Sequence, residues 1–411
     1  MRSLPSVAER VLGDAADGAA GIAGGRFDLD DFLDSRLKAP EFRRITGNLL
    51  FAGFRRKRQL ESMLDAMCAR RPPPPEVRAL LFAAAAQMLF QDAVAPQSAA
   101  NVAVELAKRR FGAGTGRFVN ALLRRVLRET PVFSDAPEEV LPEAVLREWR
   151  RCFPGAELRQ LTEAFLTPAP FTFRAVGGFE PEAEFVCRPA GGFGPFCFFA
   201  AEDPAAVLNS APMRDGKIYI QDPAASLAVS MADFSGVCRA LDVCAAPGGK
   251  SLQIDERLEP GASLLAADRS SRRLEMAREN FARHGREIAV IAAEPGELTG
   301  AFDLVLADVP CSNTGVFRRR PDVLDRFSRR ALEEVAAVQR TILEAAAARV
   351  APGGQLVYST CSIEPEENTL QIGAFLASHR EFSLRRERQL LPCKEHDGAY
   401  AALLVRSAQS I

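Results

Sequence analysis

The front of the chain carries apolar side chains at the spacing of α-helices. Residues 41–67 repeat apolar positions every three or four residues, and residues 77–90 follow after a run of prolines. Two more amphipathic segments cover residues 98–110 and 117–129. Because no stretch alternates with the two-residue period of a strand, the pattern predicts an all-α helical bundle over residues 1–130.

The pattern changes twice further along the chain. Residues 131–215 combine a helical segment around Trp149 with short strand-like pieces separated by Gly and Pro, which predicts a small α+β middle region or an elaborated linker. From residue 216 to 411, apolar runs alternate with amphipathic helices. This predicts a doubly wound, mostly parallel α/β sheet with its ligands at the carboxyl ends of the strands. We therefore predict three domains, 1–130, 131–215 and 216–411.

The composition narrows the class of protein. Of the 411 residues, 47% are hydrophobic and 26% are charged, and the formal net charge is −1, as in a soluble globular protein rather than a uniformly basic nucleic-acid binder. The nine cysteines and three histidines show no CxxC, HExxH or zinc-ligand spacing. No apolar run has the length of a membrane span, and the N-terminus lacks a signal-peptide pattern. We expect a cytoplasmic monomer without disulfides, metal or membrane contact.

A glycine-rich loop follows the first strand of the predicted sheet. Residues 241–251 read LDVCAAPGGKS, which ends like a phosphate-binding P-loop but has Cys244 where that motif needs glycine. Asp268 ends the next strand about 20 residues downstream, the place from which an acid binds ribose hydroxyls. Dinucleotides and S-adenosylmethionine both suit this layout, but the loop does not match GxGxxG. A tight turn without a ligand is the alternative.

Two cysteines follow later strands of the same sheet. Cys311 lies in DVPCSNTG, three residues after Asp308, and Cys361 lies in STCS. A single cysteine at a strand end is more often part of a core than a nucleophile. Because both follow parallel strands, we expect them to meet at one edge of the sheet, beside the glycine-rich loop, which favours catalysis.

Basic residues are clustered in the helical front and after the Cys311 loop. They lie at 55–58 and 108–110, at Arg117, Arg124, Arg125 and Arg128, and at Arg318, Arg319 and Arg320. Each cluster alone is explained equally well as a solvated helix face that does not bind RNA. Several clusters in one small helical domain indicate contact with RNA phosphates, with Arg124 and Arg125 as candidates there and Arg318, Arg319 and Arg320 as further candidates after the Cys311 loop.

Three motifs together resemble the RNA cytosine-carbon-5 methyltransferases: AAPGGK, DVPCSNTG and YSTCSIEPEEN. The front resembles the RNA-binding antitermination factor NusB, through QSAANVAVELAKRR followed by FVNALLRRVLRE. The combination is similar to the RsmB/Sun family, whose members methylate a cytosine of bacterial small-subunit ribosomal RNA. The resemblance implies an all-α NusB-like helical bundle, a small α+β middle region and an α/β Rossmann-like class I methyltransferase domain.

The resemblance also implies roles for residues. Chemistry requires a thiolate that adds to carbon 6 of cytosine and thereby activates carbon 5, but on chemical grounds either cysteine could attack. The family implies that Cys361 attacks, that Cys311 helps to resolve the covalent intermediate, and that Asp308 lies near the base and the cofactor. S-adenosylmethionine is the implied cofactor, held by Cys244, Ala245, Ala246, Pro247, Gly248, Gly249, Lys250, Asp268 and Asp308. Glu294 is the nearest acid where the family usually has Asp after the third strand.

The sequence therefore predicts an RNA (cytosine-C5) methyltransferase, with 16S ribosomal RNA as the expected partner. Two other classes stay open. One is a catalytically inactive NusB-like RNA-binding or antitermination protein, which the intact cysteines disfavour. The other is a methyltransferase that acts on tRNA, another RNA, DNA or protein.

Overall fold

The computed structural model describes residues 6–68 and 72–408, which fall into two compact units. The first unit runs to Leu166 and includes the short segment Arg320–Arg326. The second comprises Thr167–Arg319 and the chain from Phe327 onward.

The described residues in the continuous part of the first unit form helices joined by loops. These helices are α1 (Val7–Ala23), α2 (Leu29–Arg36), α3 (Pro40–Arg55), α4 (Lys57–Cys68), α5 (Pro75–Phe90), α6 (Pro96–Phe111), α7 (Ala113–Glu129), α8 (Pro137–Val140), α9 (Glu143–Cys152) and α10 (Gly155–Leu166). Ser6 starts α1 with a capping box, in which its hydroxyl accepts from the Glu9 backbone N–H and the Glu9 carboxylate accepts from the Ser6 N–H.

Helix α5 forms the centre of this unit. Its residues are apolar on every side, and nearly all of those from Val77 to Met88 are buried. A helix without a polar face is stable in water only when other helices surround it. Helices α1, α3 and α6 pack against it and supply the polar outer surface.

The second unit begins with a small antiparallel sheet. Its elements are β1 (Phe171–Ala175), β2 (Cys187–Pro189), β3 (Phe198–Ala201), α11 (Pro204–Leu208), α12 (Ala211–Arg214) and β4 (Ile218–Ile220), with strand order β2-β3-β1-β4. The predicted strand at the start of the third domain is β4. It pairs with β1 and not with the large sheet. Helices α8–α10 of the predicted middle region lie in the first unit, and its strands lie here.

The large sheet of the second unit has seven strands. Its elements are α13 (Leu227–Met231), β5 (Arg239–Asp242), α14 (Gly249–Asp255), β6 (Ser263–Asp268), α15 (Ser271–Arg283), β7 (Ala289–Ala292), β8 (Phe302–Asp308), α17 (Arg329–Ala347), β9 (Val350–Thr360), α18 (Thr369–Ser378), β10 (Phe382–Leu390) and β11 (Ala399–Arg406), while α16 (Val323–Arg326) counts with the first unit. Three 3₁₀ turns cover Pro181–Ala183, Pro223–Ser226 and Pro295–Glu297.

The strand order β10-β11-β9-β8-β5-β6-β7 places a reversal beside the first strand. From β5 the chain builds outward through β6 and β7, and then returns to add β8 and β9 on the other side. These five strands are parallel, whereas β10 and β11 are antiparallel additions. The reversal between β5 and β8 opens a crevice at their carboxyl ends, where open α/β sheets bind ligands.

The predicted fold class is confirmed: a helical front is followed by a small mixed sheet and a Rossmann-like α/β sheet. The three predicted domain bounds stay a prediction. None of the helices within residues 6–68 and 72–408 combines the length and hydrophobicity needed to cross a bilayer.

Candidate active site

The glycine-rich loop turns the chain from β5 into α14. Gly248 has a φ of 101°, and a Cβ atom there would come within 2.7 Å of the Phe281 ring. A Cβ at Gly249 would come within 2.8 Å of the Tyr219 ring. The turn and the contacts with these two rings therefore already require glycine at both positions, whatever the loop binds.

Asp268 joins the end of β6 to the same loop. Its carboxylate accepts hydrogen bonds from the backbone N–H of Ala246 at 3.3 Å and of Ser270 at 2.9 Å, and only 2% of the residue is exposed. An acceptor-only group beside the crevice suits the hydroxyl donors of a ribose. The Asp268 carboxylate thus fits the ribose hydroxyls of the nucleoside that the sequence predicts at this position.

Asp242, the last residue of β5, is buried beneath the loop. One carboxylate oxygen accepts from the Ser251 hydroxyl at 2.7 Å, and the other has no hydrogen-bond partner among the described residues. Burial raises the pKa of Asp242 to about 7; the Ser251 hydrogen bond opposes this shift, and the negative charge of Asp308 adds to it. Asp242 is therefore a carboxyl group that titrates near neutral pH.

Asp308 ends β8 on the other side of the crevice. Its Oδ2 lies 2.7 Å from the Lys250 ammonium, and its Oδ1 accepts from the Ser359 hydroxyl at 2.6 Å. Burial by itself would lower the pKa of Lys250, but the charge and hydrogen bond of Asp308 outweigh it and raise the pKa. The lysine of the glycine-rich loop is thus a cation bound to the predicted catalytic carboxylate.

Cys311 and Cys361 meet at this edge of the sheet, as predicted. Their sulfur atoms are 3.1 Å apart, and the Cys361 thiol also lies 3.2 Å from the Asn313 side-chain oxygen. The pKa of Cys311 is raised well above its usual value, first by the hydrogen bond with Cys361, then by burial and by nearby negative charge. Cys311 therefore holds its proton more tightly than an ordinary thiol does.

A cavity of about 80 Å³ lies in front of these groups. Lys250, Asp308 and Cys361 line it, together with Asp397. A larger and more open depression of about 650 Å³ includes His284 in its lining but none of the predicted catalytic residues. The small cavity is therefore the place where a substrate would meet the thiol.

Sequence reasoning missed two buried acids at this site. Asp397, in the turn before β11, accepts from the Arg319 guanidinium at 2.6 Å, and burial raises its pKa to about 7, with the charge of Asp222 adding to the shift. Glu367, before α18, accepts hydrogen bonds from residues that follow both cysteines. No local feature distinguishes Glu367 from Glu366, so only its place in the motif EPEEN could have indicated it.

Comparison with known proteins identifies the family of the chain. The family model described as 16S rRNA methyltransferase RsmB/F matches residues 234–404, and that of the NusB family matches residues 23–128. "Ribosomal RNA small subunit methyltransferase B" of Xanthomonas campestris is 32% identical, over 95% of this chain and 96% of the relative. The chain belongs to the RsmB/F family of 16S rRNA methyltransferases.

One further relative and two solved structures are also similar to this chain. "Probable ribosomal RNA small subunit methyltransferase B" of Bacillus subtilis is 29% identical, over 86% of this chain and 84% of the relative. The crystal structure of PH0851 aligns with a TM-score of 0.75 and 21% identity, over 98% of this chain and 99% of that chain. A methyltransferase homolog protein from Pyrococcus horikoshii aligns with a TM-score of 0.54 and 23% identity, over 65% of this chain and all of the other. These two structures support the fold.

The cofactor residues implied by the RsmB/F resemblance lie around the crevice, with one exception. Residues 244–250 follow β5, and Asp268 and Asp308 are the last residues of β6 and β8. Glu294 follows β7 but is exposed, and its side chain forms a capping box with Glu297 at the start of a 3₁₀ turn. Its role in cofactor binding stays a prediction. Across the described residues, no group of three or more His, Cys, Asp or Glu side chains is placed to hold a metal ion.

The arginines after the Cys311 loop have protein partners. Arg318 is 1% exposed and donates to backbone carbonyls of Thr167, Pro168 and Cys393. Arg319 forms ion pairs with the carboxylates of Asp222 and Asp397.

Arg320 pairs with Asp28 and Asp30, at 3.2 and 2.8 Å. All three guanidinium groups are thus engaged within the protein, which corrects the expectation that Arg318 lies open to RNA phosphates. That Arg319 and Arg320 bind RNA stays a prediction.

The basic residues of α7 divide into two groups. Arg125 is paired with Glu129 at 2.8 Å. Arg117, Arg124 and Arg128 are exposed, and their spacing of seven and four residues puts them on one face of the helix. Among the described residues, neither Arg117 nor Arg124 forms an ion pair. Arg128 forms one long contact, at 3.7 Å, with Glu129. We call Arg117, Arg124 and Arg128 the α7 stripe.

Proposed function

We propose that this protein methylates carbon 5 of a cytosine in 16S ribosomal RNA, through a covalent adduct between Cys361 and the base. The observation that carries the proposal is the 3.1 Å contact of the Cys311 and Cys361 sulfur atoms beside the Lys250–Asp308 pair. A thiol at the cavity with a second thiol in contact with it is what a reaction needs when one thiol must add and another group must help it leave. The small-subunit RNA is the substrate named for the relatives.

Cys361 is the attacking group in this proposal. Its thiolate adds to carbon 6, a carbon–sulfur bond forms, and the electrons of the carbon 5–carbon 6 double bond move into the ring, so that carbon 5 becomes nucleophilic. Cys361 lines the cavity, and it has the Asn313 side chain as a second polar neighbour. Cys311, whose pKa is raised, keeps its proton at this stage.

The Lys250–Asp308 pair faces the same cavity and supplies charge to the base. Addition at carbon 6 places electron density on ring nitrogen 3, which a proton or a positive group must stabilise. Lys250 is a cation held at 2.7 Å from Asp308, which is itself fixed by Ser359. After methylation, water takes the carbon 5 proton, the electrons of that carbon–hydrogen bond re-form the carbon 5–carbon 6 double bond, and the carbon–sulfur bond breaks, so that Cys361 leaves as a thiolate beside Cys311.

The methyl donor that fits the crevice is S-adenosylmethionine, which supplies an electrophilic methyl group when bound. Residues 244–250 and Asp268 would hold it. The loop follows the strand at which the sheet order reverses, and the Asp268 carboxylate adjoins it through the Ala246 N–H.

The first unit would hold the RNA through the α7 stripe. Exposed guanidinium groups without strong ion pairs can replace the counterions of phosphates, which favours binding at low salt. The basic cluster at 108–110 is more neutralised, because Lys108, Arg109 and Arg110 pair with Glu105, Glu9 and Asp17.

Bisulfite sequencing of ribosomal RNA tests the proposal. In cells that lack the gene, one cytosine of the small-subunit RNA should lose its protection, and the wild-type gene should restore it. Restoration should fail with Cys361→Ala. A cytosine that loses protection in tRNA instead would change the substrate, and no change in any RNA would favour a binding protein without catalytic activity.

A further inference from the structure

Glu367 is a fully buried carboxylate between the two cysteine loops. It is 0% exposed and lies between β9 and α18. Its Oε1 accepts from the Ser312 backbone N–H and from the Gln339 amide, both at 2.8 Å. Its Oε2 accepts from the hydroxyls of Ser312 and Ser362. Four donors from three different segments thus converge on one side chain.

Two of these donors come from the residues that directly follow the cysteines. Ser312 follows Cys311, and Ser362 follows Cys361. The two hydroxyls are also 3.2 Å apart, and each lies within 3.3 Å of the Thr314 hydroxyl. Ser312 and Ser362 each link one cysteine to the Glu367 carboxylate. A change in the position of this carboxylate therefore displaces both thiols.

Gln339 extends the same network to the residue before Cys311. Its amide N–H donates to the Pro310 carbonyl at 2.9 Å as well as to Glu367, and its oxygen accepts from the Tyr358 hydroxyl at 3.3 Å. These partners fix which end of the amide faces the carboxylate. The Cys311 loop is consequently held on both sides of the cysteine.

The network leaves Glu367 without a cationic partner. Among the described residues no Lys or Arg forms an ion pair with it; N–H groups, an amide and hydroxyls satisfy it instead. A buried charge held by neutral donors is costly, so a simple packing role would be served as well by an apolar side chain. Its charge is also among the causes that raise the pKa of Cys311, after the Cys361 hydrogen bond, burial and the Cys361 charge.

We propose that Glu367 is a positioning residue that holds the Cys311 and Cys361 thiols in contact, so that both act on one cytosine. The inference rests on the proposed function for its consequence in catalysis, but the positioning itself can be measured without RNA. Its charge has a second and smaller effect, because it adds to the causes that raise the pKa of Cys311.

Two variants separate the bonds from the charge. Glu367→Ala removes all four hydrogen bonds. Glu367→Gln keeps an oxygen for the Ser312 N–H and the Gln339 amide and places an NH₂ group where the two hydroxyls can accept, so it removes mainly the charge. Glu366 provides the matched control: it is the adjacent residue, and its carboxylate pairs with Arg329 away from both cysteines.

The first measurement is the rate at which diamide links the two thiols. Each sulfur loses its hydrogen, the disulfide forms, and the nitrogen–nitrogen double bond of diamide takes up both hydrogens. Peptide mapping quantifies the Cys311–Cys361 link apart from the seven other cysteines. We expect Glu367→Ala to form the link about tenfold more slowly than the wild type, whereas Glu367→Gln and Glu366→Ala stay near the wild-type rate.

The second measurement is methylation kinetics with pH. Glu367→Ala should lower kcat by about 100-fold with little change in the KM for RNA, because displaced thiols impair the chemical steps and not binding. Glu367→Gln should keep more activity, but Cys311 should become reactive with iodoacetamide at lower pH than in the wild type. Because unfolding would also return the pKa of Cys311 to its ordinary value, the profile is compared only between variants that melt at the wild-type temperature.

A folded Glu367→Ala protein with wild-type linking rate and kcat would overturn the inference, as would a change confined to KM. If Glu367→Ala does not fold, the double variant Ser312→Ala with Ser362→Ala decides, since it removes both hydroxyl donors and keeps the carboxylate. It should also slow the link, and an unchanged rate would overturn the inference. Slow linking in a protein that methylates no RNA would refute the proposed function and leave the positioning role intact.

Discussion

The helical part of the first unit and the large sheet of the second bury different side chains. Among the described residues from 6 to 166, the buried polar side chains are uncharged: Thr46, Gln59, Gln87 and Thr162. In the second unit, several buried side chains are ionisable, among them Asp242, Asp268, Glu367 and Asp397. The helices therefore form a scaffold whose activity must lie on its surface, whereas the sheet carries its chemistry inside.

The position of a buried ionisable side chain in the sheet distinguishes candidates for function from structural residues. Arg174 is also buried in the second unit, but it lies on the small sheet and pairs with Glu256. The acids that face the crevice follow the carboxyl ends of β5, β6 and β8 or lie in the turns beside them. A buried charge is costly wherever it occurs, so the ones at a ligand-binding edge are those to test for function.

The cysteine pair should show the largest effect in the sheet unit. Cys361→Ala should abolish methylation and form no covalent complex with RNA. In Cys311→Ala, Cys361 should still add to the base, but the reaction should then stall, because the missing Cys311 thiol assists release. Denaturing electrophoresis should show the stalled complex as a slower band, with the exposed Cys238→Ala as control. The reverse pattern would make Cys311 the nucleophile, and two fully active variants would exclude covalent catalysis.

Asp268 should show the next largest effect, on cofactor affinity. Asp268→Ala leaves ribose hydroxyls without an acceptor, which costs roughly 1–3 kcal/mol, or about 5- to 150-fold in affinity for S-adenosylhomocysteine by calorimetry. Asp303→Ala is the matched control, because Asp303 accepts two backbone N–H groups at 2.9 Å but lies near the opposite end of β8. Equal affinity in both variants would remove Asp268 from the cofactor site.

The α7 stripe tests whether the helical unit works through its surface. Replacing Arg117, Arg124 and Arg128 by Ala should weaken RNA binding and reduce the slope of log affinity against log salt by about 2. Filter binding at several salt concentrations measures this.

A control with the same loss of charge comes from α9. Replacing Arg147, Arg150 and Arg151 by Ala in the same unit removes arginines that lie near Glu148 or Glu138. If both triple variants lose the same affinity, net charge and not the stripe attracts the RNA.

The pH dependence of stability tests the buried acid of the sheet without any ligand. Because the pKa of Asp242 is raised to about 7 in the folded protein, the folded state holds this proton more tightly than the unfolded chain. Its contribution to the free energy of unfolding is full below about pH 4 and is lost as the pH rises toward 7. Denaturant unfolding from pH 4 to 8 gives the free energy of unfolding at each pH. This free energy should change less with pH for Asp242→Asn than for the wild type or Asp303→Asn. An unchanged pH dependence would mean that Asp242 does not titrate in this range.

Much of the fold was predictable because its signals are local. Helical spacing indicated the bundle, and alternating strands and helices indicated the parallel sheet. Strand β10 was missed because FSLRRERQL has charged residues where a strand pattern would be apolar; it is an edge strand, and most of its side chains are exposed. Strand β4 was predicted, but its partner in the small sheet was not, since pairing depends on a segment about 45 residues away.

For the site, the sequence by itself determined that Cys311, Cys361 and Asp308 meet at one edge, since strands that run parallel end on the same side. The tertiary structure alone decided that Arg318 turns inward to carbonyls contributed by Thr167, Pro168 and Cys393. It also decided that Glu367, and not Glu366, binds both cysteine loops. The physical reason is that the period of a helix or strand is set by neighbours in the chain, whereas burial, hydrogen-bond partners and pKa depend on segments that only folding brings into contact.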